Sequence, residues 1–323
     1  MLDLDDLRLV RALDACGSLA AAARELDLTP PALSMRLKRL EQRLGVGLVV
    51  RGARGTAFTD EGLRLRDEAA SLLRALEAVP ERVAGPARAM AGSLRIVAPF
   101  GFGRRHVAPL LASFRGLHPA VVASLTLSEW PLADAAGMDV VIHVGAVRDM
   151  AWIGHPLAPN DRLLCASPAY VRRRGMPAHP SELALHDCLC LRENGEDVTR
   201  WRFLPSAAAP GDRDAGHAAD GAARRLLQVR VRPGLSSNDG EVICDWALRG
   251  LGIMVRSEWE VAPLLRAGRL VPVLPQWRLD DAPVLALVPS RLGASARLQA
   301  FLAHARQALQ PVPWRVRKGP ASP

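Results

Sequence analysis

No run of apolar residues in this chain is long enough to cross a bilayer, and its first residues, MLDLDDLRLV, carry acids where a secretory leader would carry bases. Both absences lead to the expectation of a cytoplasmic protein with no membrane contact. The five cysteines (Cys16, Cys165, Cys188, Cys190 and Cys244) form an odd, scattered set, which in a reducing compartment excludes a disulfide framework. Cys188 and Cys190 would share one face of a strand, but no further Cys/His pair stands near them at zinc spacing. No metal site and no cofactor is therefore expected. A G-x-S-x-G elbow, a Walker-type phosphate loop and H-E-x-x-H are also missing, and Gly101-Phe102-Gly103 lacks the third glycine of a dinucleotide site. No catalytic residue can be named, so an enzyme is not expected.

What is present is enough for more than one core. At 323 residues the chain exceeds the size at which a single hydrophobic core stops growing, so two or three domains are expected. The formal net charge is +9, yet residues 1–90 hold 14 bases and 13 acids, so bulk charge does not mark that end as a nucleic-acid binder. A local excess does: residues 24–54 carry seven bases (Arg24, Arg36, Lys38, Arg39, Arg43, Arg51, Arg54) against three acids.

Leu4, Leu7, Val10 and Leu13 give a first helical stripe that ends at Gly17. Ser18 reads as the N-cap of a short alanine-rich second helix. Thr29 reads as the N-cap of a third, with Pro30 and Pro31 in the first turn, where a missing N–H costs nothing. Leu33, Leu37, Leu40 and Leu44 then make one apolar face, opposite Ser34, Arg36, Lys38, Arg39 and Gln42. Two such helices match the geometry that lays a recognition helix in the major groove. A plain helical hairpin with a solvated face fits the spacing as well. The apolar-glycine-apolar pattern over residues 48–59, with Arg51 and Arg54 near its tip, reads as a hairpin wing suited to phosphate or minor-groove contact. Beyond it, Leu65, Ala69, Leu72, Leu76 and Val79 step as a heptad seam, to be buried against a second copy or against this chain.

The segment GSLAAAARELDLTPPALSMRLKRLEQRLGVGLVVRGARGTAFTDEG resembles the N-terminal domain of LysR-type transcriptional regulators. The resemblance rests on the small-residue second helix, Pro31 to Ser34, Leu40-Glu41, Leu44-Gly45, and Phe58-Thr59 before Gly62. It implies a winged helix-turn-helix over residues 1–60 that binds double-stranded promoter DNA. The DNA-facing set it points to is Ser18, Thr29, Pro30, Pro31, Ser34, Arg36, Lys38, Arg51 and Arg54. Pro30 stands where the family often has Gln, and Val49 replaces the usual Phe of the wing.

After a Pro/Gly/Ala-rich hinge within residues 80–93, strands at Leu94–Ala98, Val121–Leu127 and Asp139–Val144 alternate with helical patterns, as in an α/β domain with mainly parallel sheets. The strand, glycine-rich bend and helix start at residues 94–103 form a ready anion site. Asp139 to Gly145, Cys165 to Tyr170, Ser237 to Gly240 and Gly250 to Ile253 resemble the effector domain of the same family, itself similar to periplasmic solute-binding proteins. The fold class so implied is α plus α/β: a winged helix-turn-helix, a long linker helix and a two-subdomain, periplasmic-binding-protein-like effector domain. Its expected limits are 61–91 for the linker/dimerisation helix and hinge and 92–310 for the effector domain. Subdomain I takes 92–161 and 268–310, and subdomain II takes 162–267. Residues 206–223, with no large apolar side chain, read as a flexible insertion and 311–323 as a loose tail. The expected cleft lining is Phe100, Gly101, Phe102, Glu129, Trp130, His143, Ser237 and Asn238. Position 143 is commonly Arg in the family, and His143 reads equally as a ligand-facing group or a satisfied strand residue.

These readings converge on the expectation of a regulator whose DNA contacts respond to a small anionic effector, assembled as a homodimer or homotetramer and touching RNA polymerase at promoters. A solute-binding carrier would suit the second half alone but needs export. A protein that only shapes DNA would have no use for the cleft.

Overall fold

The computed structural model describes residues 2–52, 55–77, 79, 90–147, 152–192, 198–205, 226–289 and 295–315. Arg54, residues 80–89 of the expected hinge, the expected insertion and the end of the chain beyond 315 lie outside the described residues.

The N-terminal unit is built from well-capped helices. α1 (Leu4–Cys16) starts at a capping box in which Asp3 and Asp6 each accept the other's backbone N–H, and ends at Gly17. α2 (Leu19–Glu25) is capped by Ser18, and α3 (Pro30–Leu44) by Thr29, whose Oγ1 accepts from the Ala32 amide at 3.4 Å. Leu33, Leu37 and Leu40 close over Leu9, Val10, Leu13, Ala22 and Ala23 in one core, where alanines let α2 approach closely. Leu4 is exposed, so the buried stripe of α1 runs through Leu9, Val10 and Leu13 and not through Leu4. β1 (Val49–Gly52) and β2 (Gly55–Phe58) pair antiparallel as the wing. Glu41 fastens the wing to α3 by accepting from the Leu48 and Val49 amides at 2.7 and 3.3 Å. α4 (Asp60–Glu77) packs so close to Leu48 that a Cβ at Gly62 would lie 2.0 Å from the Leu48 carbonyl oxygen. On α4, Ala69 and Leu73 are buried, whereas Leu72 and Leu76, and Val79 beyond its end, are exposed in the single chain.

The second unit has two five-stranded sheets. Its strands are β3 (Gly92–Pro99), β4 (Val121–Ser128), β5 (Val140–Val144), β6 (Trp152–Ala158), β7 (Arg162–Ala166), β8 (Cys188–Leu191), β9 (Arg200–Pro205), β10 (Leu227–Arg230), β11 (Pro233–Ser237), β12 (Ile253–Ser257), β13 (Val271–Pro272), β14 (Trp277–Leu279) and β15 (Val284–Pro289). The first sheet runs β4-β3-β5-β15-β6 and the second β11-β8-β12-β7-β13, with a small β10-β9-β14 sheet beside them. Both large sheets are mixed, not mainly parallel. β3 is parallel to β4 and β5 but β15 is antiparallel to β5 and β6, because the chain leaves this sheet and re-enters it from the other subdomain. The re-entry also lies later than residue 268: β13 pairs with β7 and β14 with β9, so the chain stays with subdomain II until about β15.

The helices named below are α5 (Phe100–Phe102, π-wound Gly103–Val107 and Ala108–Leu117 in continuous succession), α6 (Pro168–Arg174), α7 (Gly240–Leu248), α8 (Glu258–Arg266) and α9 (Ala296–Ala308). α8 joins the two subdomains: Trp259 and Ala262 enter the core of the first sheet, while Val261 enters that of the second. The expected loose tail is docked as far as Arg315. Trp314 is 3% exposed within the first core, and Arg315 reaches Asp161 and Glu258 at 2.8 and 2.6 Å. An isolated tryptophan carried no periodic signal in the sequence that would have announced this burial.

Candidate DNA interface and sensing cleft

α3 separates its side chains by helical geometry, three leucines inward and polar groups outward. Lys38 is exposed and makes no ion pair with a described residue, Ser34 is half-buried beside it, and Pro30 and Pro31 stand exposed in the first turn. Arg36 turns aside. It meets Asp5 at 2.9 Å and Asp3 at 3.9 Å, and this hydrogen bond and charge hold the Asp5 carboxyl below its ordinary pKa. Arg43 is likewise held by the buried Asp6 at 2.6 Å. Ser18 and Thr29 spend their hydroxyls as caps. The sequence reading left Met35 out; it is 55% exposed on the same helix, with Arg39 against its sulfur at 3.9 Å. Arg51 lies on β1 opposite Thr56.

In the second unit five of the expected residues meet. Phe100, Gly101, Phe102, Glu129 and Asn238 line one cavity of about 20 Å3 between the subdomains, together with Ser128, Arg256 and Trp259. Pro99 precedes α5 without a side-chain cap, so the start of this helix opens on the cavity. Its mouth is closed by contacts across the cleft: Asn238 donates to Glu129 at 2.8 Å, and Arg104 meets Asp239 and Glu241 at 3.5 and 3.2 Å. Ser128 donates to Asp134 and accepts from the Trp130 amide, which leaves the Trp130 ring outside the cavity and 47% exposed. Ser237 accepts from the Asp239 amide and supports the turn instead of lining the cavity.

The sequence reading missed Arg256. This side chain is 7% exposed, and its Nε donates to Glu260 one helical turn away on α8 at 2.6 Å. A Cβ at Gly240 would lie 1.9 Å from its Nη2, so glycine there is what admits the guanidinium. The Gly240 signal was read as a family landmark, and the arginine it accommodates is sixteen residues away. His143 is placed elsewhere, in a second and larger cavity. Burial, and then the charge of Arg162, push its pKa down. Four cysteines are buried, and burial pushes the Cys188 thiol up to about 12. Among the described residues no group of three or more His, Cys, Asp or Glu could hold a metal ion, and no helix is long and apolar enough to cross a membrane.

Comparison with known proteins covers nearly the whole chain. Residues 4–63 match the family of bacterial regulatory helix-turn-helix proteins, lysR family, and residues 87–310 match the LysR substrate binding domain. The HTH-type transcriptional activator TtdR of Escherichia coli (strain UTI89 / UPEC) is 34% identical over 91% of this chain and 89% of its own length. The HTH-type transcriptional regulator DmlR of Escherichia coli (strain K12) is 32% identical over 94% of each. Among solved structures CrgA, a LysR-type transcriptional regulator from Neisseria meningitidis, is 25% identical over 96% of this chain and all of its own, with a TM-score of 0.56.

Proposed function

The chain belongs to the LysR family of DNA-binding transcriptional regulators, and from that premise we propose how its residues divide the work. Ser34 and Lys38 on α3 meet bases and phosphates in the major groove, Pro30 and Pro31 set the close approach of the first turn, and Arg51 and Arg54 serve the wing. Ser18 and Thr29 act through the helices they cap. Arg36 steadies α3 against α1, and any contact it makes with phosphate competes with Asp5.

An anionic effector enters the cleft between the subdomains and is held by the buried Arg256, by Ser128 and Asn238, and by the open start of α5 at Phe100 and Gly101. The observation that carries this reading is Arg256: a guanidinium removed from water and aimed by Glu260 is placed where an incoming carboxylate or phosphate would gain a charge-assisted bond. Effector entry has to break the Arg104–Asp239 and Asn238–Glu129 contacts, which makes those contacts the switch between open and closed subdomains. The exposed Leu72 and Leu76 of α4, with Val79 beyond its end, pair with a second copy, giving a homodimer or, with further contacts, a homotetramer. The protein works in the cytoplasm as a regulator and not an enzyme, and meets RNA polymerase at its promoters.

The test is nuclease footprinting of the intergenic DNA beside the gene, with and without metabolite extract. A protected stretch whose extent changes with extract is expected for wild type. With Arg256→Gln the protection remains but its response to extract is lost. Absence of any protected stretch contradicts the DNA reading, and a full response from Arg256→Gln contradicts the cleft reading.

A further inference from the structure

The chain meets the boundary between the subdomains at three places: residues 160–161 between β6 and β7, α8, and the residues just before β15. Asn160, 2% exposed, sews the three together. Its Nδ2 donates to the Ala282 carbonyl at 2.8 Å, and its Oδ1 accepts from the Trp259 amide at 3.2 Å. Beside it the Glu258 amide donates to the Asp161 carbonyl at 2.7 Å. Any change in the angle between the subdomains has to pass through this seam.

A further stretch of chain is laid over the seam. Residues 312–315 form a turn closed by the Arg315 amide on the Val312 carbonyl at 3.0 Å. Arg315 Nη2 meets Asp161 at 2.8 Å and Glu258 at 2.6 Å, and its Nε donates to Glu258 at 2.9 Å, so one guanidinium spans two of the three crossings. Part-exposed ion pairs of this kind hold little by themselves. Trp314 supplies the anchor, because it is buried in the first core and its carbonyl accepts from Arg266, at the far end of α8, at 2.8 Å. The segment therefore grips α8 at both ends. The Trp314 ring also stands behind the sensing cavity. It meets Phe102 edge-on at 6.2 Å, and Trp259 meets Phe102 edge-on at 5.5 Å; Phe102 and Trp259 both line that cavity. A Cβ on Gly101 would lie 2.9 Å from Trp259 Cη2, so the wall is packed without slack and a shift of Trp259 is felt at the start of α5.

We propose that residues 312–315 are a strap across the hinge of the sensing unit, in which Arg315 positions the crossings at Asp161 and Glu258 and Trp314 positions the aromatic wall of the cavity. The strap holds the two subdomains at one angle, so that an effector changes that angle only as far as its own binding drives it. Arg315 and Trp314 are positioning residues: they touch no effector and act through Glu258, Asp161, Phe102 and Trp259. The proposal rests on the reading of the cleft as the sensing site, but its test contains no ligand, so the Arg256 reading and the strap fail separately.

The experiment is a spin-label distance measurement on the full chain carrying Gln307→Cys on α9 and Leu185→Cys in the other subdomain, both exposed positions, with Cys16→Ser. The other four cysteines are buried, and an excess of unlabelled chain removes separations between copies. One narrow separation is expected for this parent. Arg315→Gln should add a second separation populated above about 10%, the ceiling for the minor state of a held equilibrium, and Trp314→Leu should add more of it. Arg249→Gln, which breaks a 2.6 Å ion pair with Asp245 of α7 away from the crossings, should leave the distribution as it is. Arg315 is a part-exposed side chain, so its variant keeps the fold and decides the matter even where Trp314→Leu does not fold. A segment that only adds stability would give a lower melting temperature in Arg315→Gln with an unchanged distribution, and that result overturns the proposal. A parent already spread over two separations overturns it equally, as does the same broadening from Arg249→Gln.

Discussion

The two units of this regulator handle charge in opposite ways. In the N-terminal unit charge is displayed: Lys38 and Arg39 stand in water, and the deeply buried Asp6 meets an Arg43 that is still 40% exposed. In the sensing unit charge is enclosed, with Arg256 and Glu260 at 7% and 5% exposure. A surface that meets a long polyanion needs reachable cations. A cleft that must distinguish one small anion needs a cation held in place and out of water, where each contact counts for more. The difference is one of partner size.

That contrast predicts unequal costs when a pair is broken. Glu260→Ala takes a close carboxylate from a buried guanidinium and is expected to destabilise the sensing unit by about 3–5 kcal/mol. Arg43→Ala leaves Asp6 beside water and the Asp3 amide, so about 1–3 kcal/mol is expected for the N-terminal unit. Hydrogen exchange resolved by unit measures both. Equal losses would mean that enclosure makes no difference here.

A smaller effect comes from the aromatic box where the C-terminal segment docks. His106 lies 5.3 Å from Trp314 and 5.6 Å from Trp259, ring to ring, and burial with the Arg105 charge pushes its pKa from 6.5 down to about 4. A histidine whose folded pKa is depressed takes up protons on unfolding, so its contribution is fully present above pH 6.5 and is lost as pH falls toward 4. Melting temperature should fall over that window, and His106→Gln should flatten the dependence. An unchanged slope in the variant would assign the acid sensitivity to other groups.

How much could be read from the sequence follows the same division. α3 was legible because fifteen consecutive residues contain both its faces: the leucine spacing, the Thr29 cap and the two prolines are all local. The sensing cavity draws on residues 99–102, 128–129, 144, 238, 240, 256–257 and 259. Of these, Phe100, Gly101, Phe102, Glu129 and Asn238 were named from the sequence. Arg256 was missed because nothing in its neighbours records that Gly240 leaves it room. His143 lies on β5, within the strand its pattern implied, but which cavity it faces depends on strand pairing, which periodicity does not encode. Trp314 and the late return through β13 and β14 were illegible for the same reason: both are settled by long-range contacts.

The central claim is that α3 reads DNA through the displayed face of Ser34 and Lys38. It is tested most directly by anisotropy titration of the footprinted duplex and a scrambled duplex, across a salt series, with wild type and Ser34→Ala/Lys38→Ala. The account predicts a variant as stable as wild type within about 0.5 kcal/mol, with a preference for the footprinted duplex reduced at least about tenfold and a salt slope lowered by about one. Equal affinity, preference and salt slope in the two proteins would contradict it.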